Sequence, residues 1–291
     1  MMKIQKRLMT DSSRCSRRLS SVLVAVLLAS LPLRVTAQRQ AWTLPESMET
    51  VKVNSFAVGR SQARDTYLSG STYSGFAFGW ENDGWAGYEP HRFFRQGRLH
   101  SDLYFSYMEN PLGGGLTLEF SGRTYEGFMW HAVKNSKCDF LAGPAVMLEL
   151  GVLYNQQNSN NPVNMEGYFG GGVCADNTFR FSLFRYDMAL QATFFTPLAG
   201  FSMAPDYDQP YYYMLAYNGG LGKALHFIHP FNNLAFTQQV ALVLPIKDKR
   251  LRVGFTCDGL KNNLGGHSRF LLNTMATVGF AMRYQTKKWD R

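Results

Sequence analysis

Apolar and polar side chains alternate over long stretches of this chain, and this period constrains the fold more than any other feature. In 269–284, one set of alternate residues is mostly apolar or aromatic, from Phe270 to Tyr284, and the set between them is mostly small, polar or charged, from Arg269 to Arg283. Successive side chains of a β-strand point to opposite faces, so the pattern predicts a strand with one apolar face. The same contrast is present in 116–130, 179–195 and 251–258. No helical period of convincing length follows the first 40 residues, and we predict an all-β fold.

Two architectures share this alternation. In a soluble antiparallel sandwich the apolar faces point inward, whereas in an outer-membrane barrel they meet lipid and the polar faces line the lumen. The candidate strands exceed the roughly 5–6 residues of soluble strands and fit the ~9–11 residues of a tilted membrane strand. Aromatic and Met side chains concentrate near the strand ends, as interfacial girdles require. We therefore predict an antiparallel transmembrane β-barrel, with a soluble secreted β-sandwich that binds glycan or protein as an alternative.

Turn residues divide the chain into about twelve candidate strands, within a range of 10–14. These strands are 51–60, 73–82, 98–109, 116–133, 140–154, 163–174, 178–195, 211–217, 223–228, 233–246, 249–258 and 269–284. Short links, including 134–137, 175–177 and 247–248, alternate with longer polar ones, as expected when both termini are periplasmic. The segment 83–97 is long where a short turn is expected. Either this segment is a periplasmic loop or an inserted plug, or the strand count is wrong there.

The first 37 residues predict export. A basic region precedes an apolar run from Val22 to about Leu33, which ends at Val35-Thr36-Ala37. This order is typical of a cleaved secretory signal peptide, and the run is shorter than the roughly 18 residues of a spanning helix. Cleavage would leave a single barrel domain, 38–291, in the outer membrane of a Gram-negative bacterium.

The positive charge of the chain lies mostly in this segment. The chain has 30 Lys and Arg against 21 Asp and Glu, a formal net charge of +9. Removal of residues 1–37 leaves 23 bases and 20 acids. Nucleic acid therefore loses its support as a partner. The predicted partners are outer-membrane lipid and, during biogenesis, the barrel-assembly machinery.

A short motif resembles a known group. The segment Asp65-Thr66-Tyr67-Leu68-Ser69, followed by Tyr73-Ser74-Gly75, resembles the opening of an uncharacterised family of Bacteroidota outer-membrane β-barrel proteins. The ending Thr36-Ala37-Gln38 of the predicted signal peptide is also of the kind seen in that group. The resemblance implies location and fold, but no reaction and no site. One departure is that Tyr284 is followed by Gln285–Arg291, whereas outer-membrane strands commonly finish on an aromatic residue.

Several charged residues fall on the polar faces of the candidate strands, and we predict that they line the lumen. They are Glu119, Arg123, Glu149, Arg185, Asp187, Arg252, Asp258 and Arg283. A barrel of ten or twelve strands is wider than the ~8-strand barrel that side chains alone can fill. Such charges either line a narrow water-filled pore or pair and close the lumen, and pairing is favoured because unpaired buried charges are costly. The mixed signs argue against a strongly ion-selective channel.

One loop combines carboxylates with tyrosines. It contains Asp206, Asp208, Tyr211, Tyr212 and Tyr213. The carboxylates could bind calcium and the tyrosines a sugar or protein, but packing against the barrel rim explains the tyrosines more simply. No cofactor or metal is predicted, because Cys138, Cys174 and Cys257 form no C-x-x-C or Cys/His cluster. Pairing of two of these cysteines is left open.

Two His-Ser pairs invite comparison with barrel hydrolases, which modify lipids. They are His100-Ser101 and His267-Ser268. Adjacent residues of a strand point to opposite faces, so neither pair can form its own catalytic dyad if extended. We therefore predict that the chain is not an enzyme and has a structural, narrow passive channel or surface-binding role. A barrel hydrolase that modifies lipids is the alternative.

Overall fold

The computed structural model describes residues 42–46, 49–88, 93–183, 186–205, 222, 224–246 and 249–285. The predicted signal peptide therefore lies outside the described residues. Within the described part, no helix is long and apolar enough to cross a membrane. The described strands are β1 (Glu49–Asp65), β2 (Ser69–Gly87), β3 (Gln96–Glu109), β4 (Leu116–Lys134), β5 (Cys138–Asn155), β6 (Val163–Leu183), β7 (Tyr186–Met203), β8 (Leu225–Ile228), β9 (Asn233–Ile246), β10 (Lys249–Leu264) and β11 (His267–Gln285).

Ten of these strands close into an antiparallel barrel. Neighbours in sequence pair from β1 to β7, β7 pairs with β9, and β1 pairs with β11 along its whole length. The short β8 pairs only with the end of β7, between Gly200 and Met203, and lies outside the ring. The predicted all-β antiparallel barrel is confirmed, but the predicted count of about twelve strands is wrong.

Two differences separate the predicted strands from the observed ones: the first moves the boundary between two strands, and the second lowers the count. Ala175, Asp176 and Asn177 were predicted to be a link, but they lie within β6 and pair with both β5 and β7. Asp and Asn favour turns, but the side chain of Asp176 points into the lumen and accepts hydrogen bonds there. The predicted strand 223–228 is reduced to the four residues of β8, and 211–217 lies outside the described residues.

The segment 83–97 is strand at both of its ends. β2 continues to Gly87 and β3 begins at Gln96, so the link is 88–95. Phe94 stacks on Trp130 with ring centroids 5.9 Å apart and contacts Phe128 at 5.8 Å, on the outward face of β4. The described part of this link therefore packs outside the barrel and is not a plug.

The two ends of the barrel differ in their links. The terminal end, where β1 begins and β11 ends, has the links 88–95, 135–137, 184–185 and 247–248. The distal end has the links 66–68, 110–115, 156–162 and 265–266. Gly265 and Gly266 have φ values of 57° and 75°, and a two-residue hairpin link of this kind needs positive φ at both positions.

The wall is apolar outside and polar inside. Phe56, Phe120 and Phe169 point outward and remain 54%, 56% and 61% exposed, whereas Asp83 and Arg98 point inward and are fully buried. A soluble sandwich would bury its apolar faces against each other. The predicted sandwich is therefore wrong.

A short N-terminal segment covers the lumen at the terminal end. Trp42 is buried, and its ring lies 6.0 Å from that of Trp85 in an edge-on contact. The Arg180 Nε donates a hydrogen bond to the Trp42 carbonyl at 2.6 Å, and Gln96 donates one to the Pro45 carbonyl at 3.2 Å. Residues 42–46 are thus held against the inward faces of several strands.

Candidate functional site in the barrel lumen

The lumen is crossed by a network of buried charged side chains. At its centre, the two oxygens of Asp83 accept hydrogen bonds from Arg98 at 2.6 Å and from Arg252 at 2.7 Å. Asp83 lies on β2, Arg98 on the neighbouring β3, and Arg252 on β10, three strands further round the ring. All three side chains are at least 98% buried, so no water-filled passage runs past them.

Arg98 connects this centre to the far wall. Its guanidinium lies 4.2 Å from the centroid of the Trp85 ring, and its Nη2 donates to the Gln239 side chain at 3.0 Å. Gln239 lies on β9, five strands from β3 in a ring of ten, which is the opposite wall. Asp176 on β6 accepts hydrogen bonds from Trp85 at 3.1 Å and Thr193 at 3.0 Å. These contacts span the cross-section of the barrel.

His100 lies between two carboxylates. Its Nδ1 is 2.9 Å from Asp83, and its Nε2 is 2.9 Å from Asp102. A neutral imidazole has only one N–H, so donation to both carboxylates requires the imidazolium form. Ser101 points to the other face, where its hydroxyl lies 2.9 Å from that of Thr124. His100 thus has no free nitrogen with which to activate Ser101.

A second contact crosses the whole lumen. Arg123 on β4 donates to Asp102 through Nε at 3.0 Å and Nη2 at 2.6 Å, and its Nη2 lies 2.8 Å from Asp258. Asp258 lies on β10, five strands away round the ring. Arg–carboxylate pairs of this kind are strong and directional because the planar guanidinium matches the carboxylate oxygens.

Small polar cavities lie on the distal side of Arg123. One, of about 30 Å³, is lined by Arg123, Glu149, Asp258, Thr237 and Asn273 among others, and a second, of about 20 Å³, shares Glu149. Within the described part of the chain, Glu149 makes no hydrogen bond or ion pair. The Asp258 Oδ2, Thr237 Oγ1 and Asn273 Oδ1 are buried without a hydrogen-bond partner there. A water needs roughly 10–15 Å³ and two or more polar partners, so these cavities suit a few waters.

The distal end is closed by a further layer. Arg269 forms an ion pair with Glu166, and Ser61 donates to Glu119 at 3.2 Å. In the link 66–68, the Tyr67 amide donates to Asp65 at 2.9 Å, and Tyr67 is buried. Burial, together with the charge of Asp65, raises the pKa of Tyr67. The motif that carries the family resemblance therefore packs over the distal end of the lumen.

The predicted lumen residues fall into three groups. Those that face the lumen are Glu119, Arg123, Glu149, Arg252 and Asp258. Asp187 and Arg283 lie at the terminal end, where Asp187 accepts a hydrogen bond from Ser182 at 2.6 Å and Arg283 pairs with Glu49 at 2.7 Å. Arg185 lies outside the described residues. The loop predicted to bind a ligand also lies outside them, with Asp206, Asp208, Tyr211, Tyr212 and Tyr213.

Sequence reasoning missed the centre of the network. Asp83 was missed because 83–97 was read as a link or plug, and Asp176 because it was assigned to a turn. Arg98 begins the predicted strand 98–109 but was not placed among the lumen charges. The sequence did contain a signal for Asp83. The outward series Phe76, Phe78 and Trp80, continued by alternation, places Glu81, Asp83 and Trp85 on the inward face.

No metal centre is present in the part of the chain that the structure describes, where no three His, Cys, Asp or Glu side chains come together as ligands. Cys138, Cys174 and Cys257 are free, so no two of these three are paired.

Comparison with known families settles the relationship of the chain. The model of a family described as "Protein of unknown function (DUF3316)" matches residues 21–287. The chain belongs to this family. The prediction that the chain belongs to an uncharacterised family is thereby confirmed. No curated protein matches this member of the family.

Among solved structures, the chain is similar to the outer membrane protease OmpT from Escherichia coli. The TM-score is 0.42 at 7% sequence identity, over 85% of this chain and 100% of that chain. OmpT is a protease, so a match to it contradicts the prediction that this chain is not an enzyme. At this identity and TM-score, the match carries no reaction, substrate or residue role over to this family member.

Proposed function

We propose that the chain is an exported outer-membrane barrel of a Gram-negative bacterium that is closed along its lumen and binds partners at its distal end. The observation that carries the proposal is the pair of contacts between opposite walls, Arg98 to Gln239 and Arg123 to Asp258. They lie inside a wall whose outward face is apolar. Lipid is the partner of that face, and the barrel-assembly machinery is the partner during biogenesis.

The outward face supports membrane insertion. The strands of the ring are 14 to 21 residues long, which exceeds the ~9–11 residues that a tilted strand needs to cross the bilayer. Phe93, Phe94, Phe128 and Trp130 form an aromatic cluster on this face at the terminal end. Aromatic side chains at this level are typical of the boundary between lipid tails and headgroups.

The links support a binding role at the distal end. Leu112, in the link 110–115, is 90% exposed, and Phe231, between β8 and β9, is 96% exposed. We take these two side chains, which lie on separate links, as points of contact for partners. The closed lumen leaves these outer surfaces as the places where the barrel meets other molecules.

Insertion and orientation are tested together. In a background without Cys138, Cys174 and Cys257, we would introduce Leu112→Cys at the distal end and Ser136→Cys at the terminal end. An impermeant maleimide is expected to label only Leu112→Cys in intact cells, and both variants after permeabilisation. Labelling of Ser136→Cys alone in intact cells would contradict the orientation. Recovery of the unmodified protein in the detergent-free soluble fraction would contradict the membrane barrel.

A narrow cation passage is the second candidate. It is favoured by the cavities beside Glu149, where acidic side chains outnumber basic ones and Glu149 makes no hydrogen bond or ion pair among the described residues. Cation-selective openings of the wild-type protein in a planar bilayer, reduced by Glu149→Gln, would support this candidate over the closed barrel.

A further inference from the structure

Three basic side chains lie close together on the outward face at the distal end. Arg60 and Arg64 point outward from β1, and Lys261 points outward from β10. Arg64 is paired in register with Phe270 of β11, and Phe270 with Lys261, so Arg64 and Lys261 flank the same aromatic ring. We call Arg60, Arg64 and Lys261 the basic patch.

The basic patch has no acidic partner in the described part of the chain. None of its three side chains forms an ion pair there, although all are exposed. Their outward neighbours on β1, β10 and β11 are neutral: Gln62, Asn263, Ser268, Phe270 and Thr274. The outward carboxylate of Glu109 lies on β3, two strands from β1, and accepts a hydrogen bond from Tyr107 at 3.0 Å. The patch is therefore an uncompensated positive surface.

On the opposite wall, the outward residues at the same distance from the distal strand ends are of a different kind from those on β1. Tyr154 is the second-last residue of β5 and Arg64 the second-last of β1, but Tyr154 is outward and aromatic. Phe169 on β6 and Phe201 on β7 extend the apolar face near the distal end there. On β1 the apolar face stops at Val58. The basic patch thus interrupts the apolar band on one side only, which a uniformly solvated rim would not explain.

We propose that the basic patch binds the phosphate group of an anionic lipid in the leaflet at the distal end. The inference depends on the proposed membrane location. Guanidinium groups match phosphate oxygens in a planar, bidentate way, and a lysine adds a point charge. Phe270, between Arg64 and Lys261, offers an apolar contact for the upper part of an acyl chain. A phosphate below the rim and a chain along the wall are the geometry of a membrane lipid.

The test compares two triple variants that lose the same charge. Arg60→Gln/Arg64→Gln/Lys261→Gln removes the patch, and Lys52→Gln/Lys134→Gln/Lys249→Gln removes three exposed bases near the terminal end. Native mass spectrometry of the full barrel would measure retention of bisphosphorylated lipid A, with its phosphate-free form as a second probe. The patch variant is expected to bind the phosphorylated form about tenfold more weakly or worse, and the terminal-end variant as tightly as wild type.

Each failure has a distinct reading. Equal retention by the patch variant and wild type, or equal retention of the two lipid forms, would overturn the basic patch as a phosphate site. Displacement of the lipid by an equal concentration of inorganic phosphate would assign the site to free phosphate and overturn the lipid. Co-flotation of each protein with liposomes and its heat-modifiable migration are measured first. Failure of wild type in these two assays would overturn the membrane barrel itself.

Discussion

The two halves of the lumen contain the same kinds of residue but differ in how completely these are partnered. On the terminal side, Asp83 is contacted by Arg98, His100 and Arg252. On the distal side, Glu149 has no hydrogen bond or ion pair among the described residues, and small cavities remain beside it. The comparison teaches that closure of a barrel depends on the partners of each charge and not on the number of charges.

The largest expected effect is that of Asp83→Ala. Removal of this carboxylate leaves Arg98, Arg252 and His100 buried without their shared partner, and loss of one member of a buried pair costs about 3–5 kcal/mol of unfolding free energy. Denaturant titration of the liposome-reconstituted barrel, followed by tryptophan fluorescence, measures it. Asp187→Ala is the control, because Asp187 accepts one hydrogen bond from an exposed serine. Equal losses for the two variants would contradict the tightly partnered terminal half.

A smaller loss is expected at the boundary between the halves. Arg123→Ala removes the contacts to Asp102 and Asp258, but His100 still contacts Asp102 at 2.9 Å. We expect a loss of about 2–3 kcal/mol in the same titration. Arg123→Lys should fall between the alanine variant and wild type, because lysine keeps the charge but not the planar two-point geometry. A lysine variant less stable than the alanine variant would contradict this reading.

The smallest effect is expected for Glu149→Gln. The substitution keeps the shape of the side chain and removes a charge that has no ion-pair partner among the described residues, so the unfolding free energy should change by about 1 kcal/mol or less. Glu149→Gln and Asp83→Asn form a matched pair in the same titration. A larger loss for Glu149→Gln than for Asp83→Asn would reverse the comparison between the halves.

Much of the wall could be read from the sequence. The alternation in 269–284 assigns the inward and outward faces of β11 correctly, because a period of two is a local property of an extended chain. The strand ends were less predictable. Asp176 and Asn177 are typical turn residues, and only the side chains of Trp85 and Thr193 from other strands explain why Asp176 lies inside a strand.

The site itself was only partly predictable. Arg123, Arg252 and Asp258 were expected on the inward face, but their partners depend on which strands stand opposite each other. The contact from Arg123 to Asp258 exists because a ring of ten strands places β4 opposite β10. A ring of about twelve would pair different walls, so the error in strand count also hid the network.

Closure of the lumen is tested most directly by conductance. Wild type and Arg98→Ala/Arg252→Ala would be reconstituted in the same planar bilayer, after heat-modifiable migration has shown that both are folded. Wild type is expected to pass no steady current. The double variant is expected to pass no steady current either, because the contact from Arg123 to Asp258 still crosses the lumen on the distal side. A steady current through the double variant alone would assign the closure to Arg98 and Arg252, and a steady current through wild type would contradict the closed lumen.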